Sequence, residues 1–328
     1  MLPVTIAGLL LQINITMQES RSFILFSKII LVTVFLVILA GGVVRMTQSG
    51  MGCPDWPKCF GRWIPPMNES ELPENYKELY KFKYIDTSFN PYHTWIEYIN
   101  RLLGALLGVL LLIQFTWSLK FRKTRPRITL LSFALLLVTG FQGWLGSKVV
   151  EGNLEVAKVT AHMLVAILIA AVSYRIIYES RIVREKVLYK NLRPWVIVTI
   201  ILLLIQIILG TQVREEIDHI SLDLNFTSRQ LWISRLSNIF LIHRTFSIIV
   251  ASTCIFLFIK YREDKLLGNT LKLVAFCIFA IVILGIVMNY FSMPAIAQPL
   301  HLLFSTILIT GIYAVFCKTM PAKNSIDP

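Results

Sequence analysis

The sequence predicts an all-α membrane protein whose eight transmembrane helices form two pseudo-symmetric four-helix bundles. Hydrophobic residues make up 55% of the 328 residues and charged residues only 16%, a balance that is too apolar for a soluble domain. A helix needs about 20 mostly apolar residues to cross a bilayer. Eight segments meet that requirement, namely residues 23–45, 96–119, 128–147, 157–178, 195–213, 238–259, 271–291 and 299–317.

The distribution of basic residues predicts the orientation of these helices. The net charge is +13, and its most basic segments, 120–127, 174–194 and 260–272, follow the second, fourth and sixth helices. Lys and Arg are enriched on the cytoplasmic side of membrane proteins. We therefore expect a multi-pass protein of the cell (inner) membrane, surrounded by lipid, with both termini cytoplasmic. The basic charge is assigned to orientation and not to nucleic acid.

The same segments divide the chain into five parts. We expect an N-terminal cytoplasmic segment (1–22), a first bundle (23–178) with an outer loop (46–95), a basic cytoplasmic linker (179–194), a second bundle (195–317) and a cytoplasmic tail (318–328). Residues 1–20 lack the basic start and small-residue cleavage site of a secretory signal. No cleaved signal peptide is expected.

Matching polar residues indicate that the second half repeats the first. A glycine and an arginine end the first helix (Gly41, Arg45) and the fifth (Gly210, Arg214). Asn100-Arg101 begins the second helix where His243-Arg244 begins the sixth, and His162 in the fourth helix matches His301 in the eighth. A repeat of four helices gives both halves the same orientation in the membrane.

The histidines are the strongest candidates for a site, because ionisable groups inside a membrane usually serve function. His243 and His301 come from alternate helices of one bundle, an arrangement suited to axial ligation of a haem iron. The alternative is a histidine bonded to a neighbouring backbone carbonyl, with Arg244 as an interface anchor. A zinc site is less favoured because two histidines leave its tetrahedral shell incomplete, and an ion pathway does not explain the matched pairs.

The two halves differ in their other polar residues. His93, Glu97 and Asn100 are four and three residues apart, so they share one helix face in the first bundle, together with His162. Phe240 and Leu236 occupy the positions that match Glu97 and His93. Glu97 is suited to general acid–base catalysis or, equally, to an ion pair with Arg101. This asymmetry predicts a reaction site in the first half and a fixed haem in the second.

Two of the five cysteines lie in the first outer loop. Cys53 and Cys59 are six residues apart on the oxidising side of the membrane, where a disulfide is permitted, although their spacing alone does not establish it. A two-cysteine metal site is the weaker option. The other three, Cys254, Cys277 and Cys317, are expected to be buried thiols.

Six motifs together resemble the haem A synthase family in order and spacing, over about residues 23–317. They are GGVVRMTQSGMGCPDWPKCFGRWIPP (41–66), EYINRLLGALLG (97–108), QGWLGSKVV (142–150), VTAHMLVA (159–166), LIHRTFSI (241–248) and PLHLLFS (299–305). The resemblance implies an eight-helix enzyme that oxidises a methyl group of haem O to the formyl group of haem A for cytochrome c oxidase. Haem O synthase and the assembly of the oxidase are the implied partners.

The resemblance also implies site residues. It assigns His243 and His301 to a resident haem b, His162 to the substrate haem, Glu97 to catalysis and Cys53 with Cys59 to an outer-loop pair. From repeat position and charge, Arg45 and Arg101 are candidates for the propionates of the substrate haem, and Arg214 and Arg244 for those of haem b. The second cysteine pair of many members is absent from residues 214–237.

The sequence departs from the family at Asn100, where the usual motif places a histidine. Three interpretations stay open. His93, two turns earlier and about 10 Å outward on the same face, supplies the missing ligand; or the substrate haem is held by His162 alone, with Asn100 bonding a water; or the fold is kept without the reaction. We favour the first. His93 bonded to Glu97 is the plainer alternative.

Other functions remain as rivals at this stage. A di-haem b-type electron-transfer cytochrome fits the histidine pairs but leaves Glu97 and the outer cysteines unexplained. A non-catalytic haem carrier is the third class, and a solute transporter is less favoured. Quinone is the candidate electron acceptor, and a homo-oligomer is left open.

Overall fold

The computed structural model describes residues 6–79, 89–152, 154–181, 187, 189 and 191–319, with the backbone alone for residues 6–19. Within these residues the chain is α-helical, and the only extended pairing is a single bridge between Cys59 and Arg62. The predicted all-α class is confirmed.

Eight helices in the described residues are long and apolar enough to cross a membrane, which confirms the predicted spans. They are α1 (Ile6–Met46), α2 (Pro91–Ser118), α3 (Pro126–Glu151), α4 (Val156–Ser180), α5 (Leu192–Asp223), α6 (Asn238–Tyr261), α7 (Gly268–Tyr290) and α8 (Ala297–Thr319). Short helical turns lie at Glu69–Glu71, Tyr76–Leu79, Leu119–Phe121, Arg229–Leu231 and Ile233–Arg235.

Two helices that carry candidate site residues begin at side-chain caps. The side chain of Asn90 accepts hydrogen bonds from the backbone N–H groups of Tyr92 and His93, at 3.0 and 3.5 Å, and a proline follows at the first helical position. The Ser237 hydroxyl accepts from the N–H of Ile239 at the start of α6. These caps satisfy amide groups that a helix leaves unpaired at its N-terminus.

Several helices extend beyond the segments predicted from hydropathy. Helix α1 includes residues 6–22 of the predicted cytoplasmic segment 1–22, and residues 6–46 contain no proline to interrupt it. Helix α2 begins at Pro91, inside the predicted outer loop 46–95. Helix α5 continues through residues 214–223, which the charge pattern places in a loop. The linker 179–194 and the tail 318–328 lie partly outside the described residues.

The helices pack as two groups of four. In the first group, α1 contacts α2, α2 contacts α3, α3 contacts α4, and α4 returns to α1; α5 to α8 form a second closed ring in the same way. Each group encloses an apolar core. This arrangement is consistent with the two predicted bundles, while their pseudo-symmetry stays a prediction.

The two groups meet through α1 against α8 and through α4 against α5 and α8. Gly42 permits the closest approach, since a Cβ atom at Gly42 would lie 3.0 Å from the Cβ of Pro299. Small residues allow membrane helices to pack this closely. Helices α2 and α3 make no comparable contact with the second group. They therefore lie on the side of the first group that faces away from the second.

Candidate functional site

A cavity of about 1790 Å³ opens within the first group of helices. Its walls come from α1 to α4, the outer loop and the outer ends of α5 and α8. Pockets for small ligands usually enclose about 300–1,000 Å³, so this one has room for a larger molecule. Six predicted site residues line it: Arg45, His93, Glu97, Asn100, Arg101 and His162.

Glu97 is the most buried ionisable group of this cavity, with 4% of its surface exposed. Its carboxylate accepts a hydrogen bond from the backbone N–H of Cys53 at 2.8 Å and forms an ion pair with Arg101 at 2.5 Å. The ion pair considered from the sequence is therefore present. Because the backbone N–H occupies one oxygen and the guanidinium the other, the carboxylate is fixed in place at the cavity wall.

Arg101 connects the helix to the outer loop. Its guanidinium donates hydrogen bonds to the carbonyls of Cys53, Asp55 and Lys58, at 3.1, 2.7 and 3.0 Å. A guanidinium has five N–H donors in a rigid fork, and here most of them hold the loop. Arg101, which the sequence analysis gives as a candidate for binding a haem propionate, therefore also anchors the loop above Glu97.

The outer loop is closed by a disulfide between Cys53 and Cys59, as predicted, and both residues are fully buried. The Asp55 carboxylate accepts from the N–H groups of Phe60 and Gly61 at 2.6 and 2.8 Å. Gly52 lies against the carbonyl of His93 so closely that a Cβ atom would overlap it. The loop therefore packs directly on the first turns of α2.

Beyond this contact much of the loop is exposed. Arg62 pairs with Glu71 at 2.9 Å. The backbone N–H of Met67, which donates to the Glu71 carboxylate, holds the pKa of that carboxyl below its ordinary value. This exposed pair lies outside the cavity, so it provides a control for substitutions at Glu97.

His162 is half-buried and presents its ring to the cavity. The Nδ1 atom is buried and has no hydrogen-bond partner among the described residues. The ring faces Gly146, where a Cβ atom would lie 3.3 Å from Cε1. Gln142 donates to the His162 carbonyl at 2.9 Å, which leaves the imidazole itself available as a ligand.

His243 and His301 face the interior of the second group in the same manner. A Cβ atom at Gly210 would lie 3.2 Å from Cε1 of His243, and one at Gly285 would lie 3.9 Å from Cε1 of His301. The Nδ1 atom of His301 is buried without a partner in the described part of the chain. Gln206 lies 3.2 Å from Nδ1 of His243 and donates to its carbonyl.

These features fit a flat ligand that is bound through a metal. The Nδ1 atoms of His162 and His301 lack a partner among the described residues, which is costly for buried polar atoms unless something binds them. A glycine beside each ring lets the imidazole pack closely against the neighbouring helix. Among the described residues no three His, Cys, Asp or Glu side chains cluster to hold a bare metal ion.

Arg244 is exposed, with its guanidinium 5.7 Å from the Phe240 ring.

Arg45 and Arg214 both contact Asp218, a residue that the sequence analysis did not identify. Asp218 accepts from Arg45 at 2.7 Å and pairs with Arg214 at 2.7 Å, so repeat-matched arginines from the two groups share one carboxylate. Arg214 also donates to the Arg45 carbonyl at 3.1 Å and to the side chain of Gln298. The i,i+4 spacing of Arg214 and Asp218 was the signal for this contact.

The fold and the site together define a class: multi-pass helical membrane proteins that place histidines inside two groups of four helices, with a buried carboxylate in the first group. The family model described as "Cytochrome oxidase assembly protein" matches residues 25–313. The chain belongs to this family, and the resemblance drawn from the motifs is confirmed.

Curated relatives carry the corresponding name. The "Heme A synthase" of Flavobacterium johnsoniae is 24% identical over 90% of this chain and 97% of its own length. That of Shewanella oneidensis is 33% identical over 56% of this chain, and the matched region spans about half (54%) of the relative. "Heme A synthase COX15" of Saccharomyces cerevisiae is 30% identical over 37% of this chain and 26% of its own length.

Proposed function

We propose that this chain is a haem A synthase, which oxidises one methyl group of haem O to the formyl group of haem A during cytochrome c oxidase biogenesis. Family membership over residues 25–313 supports the proposal. The observation that carries it is the buried carboxylate of Glu97, which lines the same large cavity as the imidazole of His162. A protein that only moved electrons would not need such a carboxylate beside an open cavity.

The cavity binds the substrate haem, with His162 as a ligand of its iron. The buried Nδ1 atom, which has no partner among the described residues, and the close packing of the ring against Gly146 support this role. His93 supplies the second ligand in place of the family histidine at Asn100, since both residues line the cavity from one face of α2. The Oδ1 atom of Asn100 is buried and has no partner among the described residues, so it is available to the substrate or to a water.

Glu97 accepts a proton as the substrate methyl group is oxidised, first to the alcohol and then to the aldehyde. The net conversion replaces two hydrogen atoms of the methyl group by one oxygen atom from water and removes four electrons, which two quinone molecules accept. Protons therefore leave the substrate and the water together with the electrons. The Cys53 N–H and Arg101 keep the carboxylate oriented, and its burial excludes bulk water from it. Arrangements of this kind favour general-base catalysis.

Arg45 and Arg101 bind the propionates of the substrate haem at the outer end of the cavity. Arg45 is partly exposed and already holds a carboxylate, that of Asp218. A propionate presents the same carboxylate group, which the guanidinium recognises with paired N–H donors. Binding of the substrate therefore competes with, or adds to, the Asp218 contact.

The second group of helices holds a resident haem b through His243 and His301, with Arg214 and Arg244 near its propionates. When bound, haem b supplies a one-electron carrier at this end of the protein. Gln206 orients His243 by donating to its backbone and lying beside its ring. Residues that fix a ligating histidine in this way commonly tune the metal.

The membrane setting completes the proposal. Both termini lie in the cytoplasm and the disulfide loop outside, as the basic segments 120–127, 174–194 and 260–272 indicate. Haem O synthase supplies the substrate, and the assembly machinery of cytochrome c oxidase receives the product. Quinone is the proposed electron acceptor.

Complementation tests the function directly. The gene is expressed in a bacterial strain that makes haem O but lacks its own haem A synthase. We expect a-type cytochrome absorption to return to the membranes, and the empty vector serves as the control. Membranes that contain the protein but show no a-type signal would reject the proposal.

A further inference from the structure

The cavity has a polar outer end and an apolar inner end. Glu97, Arg101 and Arg45 line the outer part, whereas Val34, Leu107 and Leu136 line the inner part. Along α1, Val34 lies eleven residues below Arg45 in the sequence, or about 16 Å at the rise of an α-helix. The cavity is therefore shaped for an amphipathic molecule whose acidic groups lie outward and whose apolar part extends into the membrane.

Glycines provide much of the inner space. Six glycines in the described part of the chain have nothing within 4 Å of a built Cβ atom, and five of them line this cavity: Gly41, Gly104, Gly108, Gly140 and Gly143. The sixth, Gly61, lies in the outer loop with a positive φ of 73°, where a turn explains it. Glycine with open space beside it is therefore a feature of this cavity and not of the helices in general.

The second group of helices lacks this feature at the matching positions. If Asn100 is aligned with His243, Gly104 and Gly108 match Ser247 and Ala251. If His162 is aligned with His301, Gly140 and Gly143 match Phe279 and Val282. The fifth glycine, Gly41, matches Gly210, whose free side is filled by the ring of His243. The space in the first group therefore exceeds what the second group keeps.

The extra space lies between α2 and α3 and reaches the surface that faces lipid. Gly104 and Gly108 lie on α2, and Gly140 and Gly143 on α3. These two helices lie on the side of the first group away from the second. Trp144 lines the cavity and is 50% exposed, so the opening extends to the outside of the bundle.

Buried polar atoms without a partner among the described residues also line this cavity. Besides Asn100 and His162, Thr139 and Gln142 line it and have a buried oxygen that lacks a hydrogen-bond partner within the described residues. Such atoms are costly unless water or a bound molecule satisfies them.

We infer that the slot formed by Gly104, Gly108, Gly140 and Gly143 binds the prenyl tail of the substrate and selects a prenylated haem over an unprenylated one. The inference rests on the proposed function for the identity of the substrate. Haem O carries a prenyl tail that haem B lacks, so a site for haem O needs the additional space that the slot provides. Burying the apolar tail against these walls adds affinity that haem B cannot obtain.

The test exchanges one slot residue for its counterpart in the second group. Gly140→Phe is compared with Leu137→Phe, which adds an aromatic ring at a position of α3 that is 56% exposed and does not line the cavity. Each protein, carrying its resident haem, is titrated with haem O and with haem B, and binding is followed by absorbance. Resident haem content and elution as a single species verify folding.

We expect Gly140→Phe to weaken haem O binding by about tenfold or more while haem B binding changes by less than about twofold. Leu137→Phe should bind both haems like the wild type. Equal loss for both haems, or no loss, would overturn the inference. If Gly140→Phe does not fold, Gly104→Leu fills the slot from the opposite wall and carries the same expectation.

The two proposals fail separately. A wild-type protein that prefers haem O but never converts it would reject the synthase function and keep the slot. A wild-type protein that converts haem O but shows no change of preference in Gly140→Phe or Gly104→Leu would reject the slot alone.

Discussion

At the scale of single residues, the chemistry depends on Glu97. Its carboxylate is held by one backbone N–H and one guanidinium, so a substitution that keeps the size and the acceptor oxygen tests the charge alone. Glu97→Gln should lower the yield of haem A by about a hundredfold, because general acid–base groups commonly contribute that much or more. Haem O or its alcohol should accumulate, as measured by chromatography and mass of extracted haems.

Glu71→Gln is the matched control. It removes an equivalent ion pair from the exposed outer loop, and we expect an unchanged yield. An unchanged yield in Glu97→Gln as well would remove Glu97 from the mechanism.

His93 tests how the protein compensates for Asn100. If His93 is the second ligand, His93→Ala should convert the low-spin absorption spectrum of the bound substrate haem to a high-spin one. Tyr92→Ala serves as the control, because Tyr92 is the neighbouring residue and is 78% exposed. A low-spin spectrum that persists in His93→Ala would assign His93 to the membrane interface instead.

At the scale of the helices, Asp218 joins α5 to α1. It faces Arg45 from the first group and Arg214 from its own helix, so Asp218→Asn leaves two guanidinium groups close together without their shared anion. We expect a loss of about 1–2 kcal/mol, less than for a fully buried pair, because all three side chains are partly exposed. The measurement is the thermal midpoint of the purified protein in detergent, which should fall.

The control for this variant is Glu151→Gln, whose partner Lys148 is 40% exposed. Its midpoint should match that of the wild type. An Asp218→Asn protein with an unchanged midpoint would show that the shared carboxylate is not needed to hold the two groups together.

Hydropathy predicts the spans but not the residues at which the helices begin and end. Apolar length predicts the eight spans because the bilayer core requires it, but α5 continues to Asp223 through residues that are charged. There the helix is stabilised by pairs at i,i+4, such as Arg214 with Asp218, and not by lipid. Capping side chains such as Asn90 fix the other ends, and a hydropathy average does not register a cap.

At the scale of the whole molecule, the charge pattern predicts the orientation. Ser70 lies in the exposed outer loop and Lys123 in an exposed turn after α2. Ser70→Cys should react with a membrane-impermeant thiol reagent in intact cells, and Lys123→Cys only after the membrane is opened. Labelling in the reverse order would contradict the orientation.

The sequence predicts the composition of the site better than its shape. The spacing of His93, Glu97 and Asn100 on one helix face places all three at the cavity, and the cysteine spacing anticipates the disulfide. Asp218 and the glycine slot were missed, because both depend on which helices become neighbours. The repeat suggests matched arginines, but only the packing of the two groups against each other shows that the arginines share one carboxylate.

The most direct test of the central claim is the haem content of the purified protein. The protein is produced in a host that contains haem O and has no other source of haem A, and the extracted haems are separated by chromatography and identified by mass. The account predicts haem A or its alcohol intermediate together with haem B. Haem B alone, at two per chain, would contradict it and would assign the protein to electron transfer; haem B with unconverted haem O would show a site that binds the substrate without the reaction.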